Sequence, residues 1–205
     1  MRYGGNTACV EVRTKSDSVI ILDAGTGIRR LGATLGDDGR IDILLSHLHT
    51  DHIQGLGFFG PLYQKDREVH IWGPRSAGLD LRARLGRYLS APLFPVHLRE
   101  LPCRLTLHDA PLDGFEIDGV RVATDLVLHP GPTLGYRITE SQTSLAYMSD
   151  HEPALGNARL PDDAAWMSGY GLARGADLLI HDSQYTDAEY DTHVGWGHSS
   201  LSQAM

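Results

Sequence analysis

The chain has 205 residues, of which 41% are hydrophobic, 21% charged and 7% aromatic, the usage of one ordinary globular domain. That composition excludes a disordered chain, a coiled coil and a collagen-like fibre, and no apolar run approaches the roughly 18 residues needed to cross a bilayer. A formal net charge of −8 argues against an extended basic face, so a long nucleic acid is disfavoured as a partner.

The opening Met1-Arg2-Tyr3-Gly4-Gly5-Asn6 reads as a turn and carries no apolar h-region, so a cytoplasmic protein without a signal peptide is expected. Short apolar, β-branched-rich runs then predict strands over Ala8–Val12 and Val19–Leu22, a helix over Gly27–Leu35 and a strand over Ile41–Ser46. A strand over Glu68–Trp72 precedes a helix over Ser76–Leu89, where Leu81, Leu85, Tyr88 and Leu89 recur at helical spacing. Strands follow over Val120–Leu128, Leu134–Thr139 and Ser144–Ser149, then a helix over Pro161–Arg174 and a strand over Asp177–His181. No repeat or linker divides the sequence, so residues 1–205 are read as a single domain of α+β or layered α/β/α architecture. From about Phe58 to Pro111 the Leu, Pro and Arg content reveals little more. Cys9 and Cys103 lie far apart, lack metal-binding spacing and read as buried thiols.

Eleven histidines stand out, and the densest group is Ser46-His47-Leu48-His49-Thr50-Asp51-His52 directly after an apolar strand. In a tight turn His47 and His49 can reach one ion while Asp51 and His52 reach a second beside it. Imidazole and carboxylate without thiolate suit Zn²⁺, with Mn²⁺ or Fe as alternatives.

This His-x-His-x-Asp-His motif resembles the signature of the metallo-β-lactamase-fold hydrolases, and three further motifs follow the same family order. Asp23-Ala24-Gly25-Thr26-Gly27 looks like the family's turn before its first helix, with Asp23 organising the loop beneath the metals. His129 looks like the third histidine of the first metal, and Asp150 like the aspartate that bridges both ions. The resemblance implies a four-layered αββα sandwich that lacks the first and last strands, since the chain begins at Gly-Gly-Asn and stops inside the helix after Gly197-His198-Ser199. It implies a first metal held by His47, His49, His129 and Asp150, and a second by Asp51, His52 and Asp150. A final histidine that completes the second metal in the family is absent from this sequence.

His181-Asp182-Ser183 and Gly195-Trp196-Gly197-His198-Ser199 narrow the resemblance to the phosphodiesterase branch, which includes tRNA 3′-processing endonucleases. There the Gly-His-Ser histidine is a proton donor oriented by an acidic residue, the roles that fall here on His198 and Asp182. Two divalent ions less Asp51, Asp150 and a bridging hydroxide leave a formal charge of about +1, suited to a phosphodiester anion. The expected enzyme is therefore a metal-dependent phosphodiesterase with a metal-bridging hydroxide as nucleophile and His198 as general acid. The expected substrate is a small phosphodiester or ester. A lactonase or other ester hydrolase on the same dinuclear site is the alternative, and a truncated, weakly active metal-binding protein a second. A sheet edge left open by the missing last strand would favour a homo-oligomer. Trp72, Trp166 and Trp196 are read as core aromatics, with Trp196 the best placed of them to stack a base.

Overall fold

The computed structural model describes residues 4–37, 39–154, 156–157 and 159–205, which form two compact units divided in sequence between Ala110 and Pro111. In the first unit β1 (Val10–Arg13) pairs antiparallel with β2 (Val19–Leu22), and α1 (Gly27–Gly32) leads into β3 (Ile41–Leu44). After the short helix α2 (Thr50–Ile53) come β4 (Glu68–Gly73), α3 (Leu81–Tyr88) and β5 (Arg104–Asp109). The sheet runs in the order β1-β2-β3-β4-β5, parallel from β2 onwards.

Register explains why these strands form. Val19, Ile41, Val69 and Leu105 stand in one row across the sheet, and Ile21, Ile43, Ile71 and Leu107 in the next. Both rows belong to one core, packed with Ile28 of α1, Leu81 and Leu85 of α3, and Leu56, Phe59 and Leu62 of the connecting turns. Each fully buried side chain of this size contributes about 1.5–3 kcal/mol, so the core fixes the register of the strand that carries the His47 loop.

In the second unit β6 (Phe115–Ile117), β7 (Val120–Leu126), β8 (Leu134–Glu140) and β9 (Thr143–Met148) form an antiparallel meander, and β10 (Leu178–His181) adds parallel to β9. The β6–β7 hairpin turns on Asp118-Gly119, both at positive φ, as a type I′ turn requires. Three short helices complete the unit: α4 (Tyr170–Ala173), α5 (Asp187–Tyr190) and α6 (Leu201–Ala204).

All eight expected strands are present, with ends displaced by up to two residues. Two strands escaped the sequence, β5 and the three-residue β6. The helix expected over Ser76–Leu89 starts only at Leu81, because the Asp80 side chain accepts from Ala83 N at 2.7 Å and caps it there. The helix expected over Gly27–Leu35 ends at Gly32. The one expected over Pro161–Arg174 is replaced by a 3₁₀ turn at Ala164–Trp166 and by α4, broken apart at Gly169, whose φ of 71° no continuous helix permits. No helix among the described residues is long and apolar enough to cross a membrane.

Candidate metal centre

In the first unit the chain leaves β3 through Leu45 and Ser46 and turns into α2, with His49 as the residue before the helix. His47 and His52 are buried, whereas His49 and Asp51 are exposed. The imidazoles gather closely, the His47 ring centroid lying 4.4 Å from that of His49 and 4.2 Å from that of His52.

Beneath them lies Asp23, fully buried and at a φ of 59°. Its carboxylate accepts from Ser46 N at 2.7 Å, from Ser46 Oγ at 2.8 Å and from His52 Nδ1 at 2.8 Å. A carboxylate only accepts, so His52 carries a proton on Nδ1, and in its neutral form the lone pair is on Nε2, which lies 3.3 Å from Asp51 Oδ2. The Ser46 hydroxyl spends its one proton on Asp23 and therefore accepts from His47 Nδ1 at 2.9 Å, which gives His47 the same tautomer. One buried carboxylate thus sets two imidazoles with basic Nε2 atoms, the state in which histidine binds a divalent cation.

In the second unit His129 follows β7 and Asp150 follows β9. His129 Nδ1 donates to Gly197 O at 2.7 Å, so the neutral ring has its lone pair on Nε2, and that nitrogen lies 3.6 Å from Asp150 Oδ2. His198 Nδ1 donates to Asp182 Oδ2 at 2.7 Å, and its Nε2 lies 3.9 Å from Asp150 Oδ2. Asp182 is held in turn by Gln184 N at 2.8 Å and His151 N at 3.1 Å. Asp182 therefore faces His198. His181 turns instead to His151, whose Nδ1 donates to His181 Nε2 at 2.8 Å. Burial, with His181 alongside, pushes the His151 pKa down to about 3, and burial lowers that of His181 too.

Glu152, which the sequence does not mark, and Ser199 of the Gly-His-Ser motif complete this half. Glu152, fully buried, accepts from Tyr190 Oη at 2.6 Å, Gly195 N at 2.8 Å and Gly197 N at 2.8 Å, and so fastens the loop that carries His198. Ser199 Oγ donates to His151 O. Trp166 and Trp196 are exposed rather than in the core, at 68% and 60%. Trp72 is half-buried and stacks on His108.

The chain matches the model of the β-lactamase superfamily domain over residues 19–205 and belongs to that family. It is similar to the ribonuclease Z of Exiguobacterium sibiricum, 28% identical over 79% of this chain and 64% of that protein, so it spans just under two thirds of that relative. Among solved structures it resembles the metallo-β-lactamase fold protein YhfI of Bacillus subtilis, with TM-score 0.67, 17% identity, and 97% and 72% of the two chains covered. It also resembles the short form of human tRNase Z, with TM-score 0.67, 23% identity and 96% and 78% covered. The chain thus has the expected metallo-β-lactamase fold. Its histidine and aspartate donors, with their basic Nε2 atoms, fit a divalent metal.

Proposed function

We propose that the protein is a metal-dependent hydrolase that cleaves phosphodiester bonds in RNA, as a member of the tRNA 3′-processing-like branch. Its first ion would be held by His47, His49, His129 and Asp150, and its second by Asp51, His52 and Asp150, the sets that the family's motifs imply. Zinc is the favoured metal, since neutral imidazole and carboxylate without thiolate match its ligand preference. When bound, the two ions supply Lewis-acid charge and an acidified water.

The observation that carries the reading is the Asp182–His198–Asp150 line. Asp182 fixes His198 Nδ1 in the donating state and stabilises the doubly protonated ring. His198 Nε2 is then the nitrogen that delivers a proton to the leaving alkoxide, beside the aspartate assigned to both ions.

The net charge argues for a small substrate, but it sums over the whole chain and the metals would reverse it locally. The relatives' name and the exposed Trp196, two residues from His198, support RNA. A cytoplasmic location is supported by the free thiols of Cys9 and Cys103. Self-association along the sheet edge at β10 is supported by exposed Leu178 and Leu179, and a monodisperse monomer in light scattering would refute it.

His198→Ala should lower cleavage of an RNA phosphodiester, whose ribose alkoxide cannot leave without a proton, by about 10²–10⁴-fold while metal per chain, read by mass spectrometry, stays unchanged. Loss of metal along with activity would make His198 a ligand and overturn the assignment.

A further inference from the structure

The first unit contains a cleft of about 570 Å³ whose wall includes Leu48 and Thr50, the residues interleaved with His47, His49 and Asp51. Its other side is α3, which contributes Arg84, Arg87 and Tyr88, and Leu93 closes the rim. The volume lies within the range of about 300–1,000 Å³ usual for ligand clefts.

Two features give the cleft a chemical preference. The first is cationic. Arg84 is already committed, its Nη2 donating to Pro74 O at 2.6 Å with Asp109 Oδ1 at 3.8 Å. Arg87, one turn further along α3, is exposed, and its guanidinium has no hydrogen-bond or ion-pair partner among the described residues. A chain of net charge −8 thus keeps an uncommitted guanidinium next to the loop assigned to its metals.

The second feature is apolar. Leu93 is 70% exposed, and the Tyr88 ring is fixed by its hydroxyl, which donates to Gln54 O at 2.5 Å. Phe94, itself buried, stands 6.2 Å from Tyr88 and meets exposed Phe58 edge to face at 5.7 Å. A free inorganic anion has no use for such a wall, and a purely apolar ligand has none for Arg87. A nucleotide presents both a flat base and a phosphate.

We propose that this cleft seats the RNA strand flanking the scissile bond, with a backbone phosphate on Arg87 and a base against the wall of Tyr88 and Leu93. The proposal rests on the phosphodiesterase reading above and names the part of the substrate that the metals do not touch. Because phosphate contact and apolar contact come from different residues, they separate experimentally.

The test is fluorescence anisotropy of a fluorescein-labelled single-stranded 12-mer RNA against the zinc-loaded protein carrying His198→Ala, so that the RNA stays intact. Adding Arg87→Ala should weaken binding about tenfold and flatten the slope of log Kd against log salt by about 0.7, the loss of one phosphate contact. Arg87→Lys should restore most of both. Leu93→Asn should weaken binding and leave the salt slope as it was. Failure of the parent protein to bind the RNA, or an unchanged affinity and slope in Arg87→Ala, would overturn the proposal. The underlying reading is tested separately by wild-type turnover of bis(p-nitrophenyl) phosphate, and an inert wild type would refute that reading whatever the anisotropy shows.

Discussion

Replacing Asp23 by Asn keeps the volume of a fully buried side chain and changes one thing, the pattern of donors and acceptors. The carboxylate faces donors on both oxygens: Ser46 N at 2.7 Å on one and His52 Nδ1 at 2.8 Å on the other. An amide must aim its NH₂ at one of them. The backbone N–H of Ser46 cannot change its character, whereas His52 can move its proton to Nε2 and accept, so the amide settles toward His52. The lone pair of His52 then points away from the ion. Reversing the tautomer sets two donors against each other in a buried site, at a cost of about 1–3 kcal/mol. With about 1.4 kcal/mol per tenfold, Asp23→Asn should weaken metal binding about 10–100-fold. Zinc titration against a chromophoric chelator reads the affinity, with circular dichroism to establish that the variant is folded. Ser46→Ala, which removes only the partner of His47, should give a smaller loss. A folded Asp23→Asn chain that binds zinc within twofold of wild type would refute both the tautomer argument and the assignment of His52 as a ligand through Nε2.

Glu152→Gln turns one acceptor into a donor against Tyr190 or a glycine N–H, and should destabilise the second unit by about 1–3 kcal/mol in urea unfolding; an unchanged midpoint would show that the His198 loop does not depend on this carboxylate. Cys9 is held protonated, its pKa pushed up to about 12 by burial and then by Asp23 and Glu11. Its alkylation by iodoacetamide at pH 8 should therefore run about 1,000-fold slower in the folded chain than in the denatured one. The thiol also favours folding below pH 9, and that contribution is lost as pH rises from 9 toward 12, an alkaline slope that Cys9→Ala should lack. For His151 the sign reverses. Its folded pKa of about 3 lies below the unfolded value, so in chelator-treated protein stability should fall as pH drops below about 6.5, more steeply in wild type than in His151→Asn. Parallel slopes would mean the ring is not the group that charges.

The loops that carry the candidate metal ligands were legible because their chemistry is local: four donors in six residues after a buried strand cannot hide in the sequence. The central strands were legible for a related reason, since β2 is a continuous apolar run and β3 is interrupted only by Asp42. What escaped was set by partners distant in sequence. Glu152 finds its donors 38–45 residues away, and nothing around it distinguishes it from a surface acid. β5 alternates Leu105 and Leu107 with polar residues, but it sits in a stretch where Leu, Pro and Arg blur the period. β6 is too short for a pattern, yet Asp118-Gly119 was a hairpin signal that could have found it. The helix expected over Pro161–Arg174 failed because helical spacing says nothing of a glycine already committed to a left-handed turn.

Gly197 lies one residue before His198, and its carbonyl holds His129 while its amide holds Glu152. The proposed proton donor and a proposed ligand histidine therefore share a single stretch of backbone, pinned from both sides. Such a segment cannot swing as a lid without loosening His129. Turnover in this protein should accordingly rely on preorganisation, with the donor already in place when substrate arrives, and its rate should not be gated by closure of the loop.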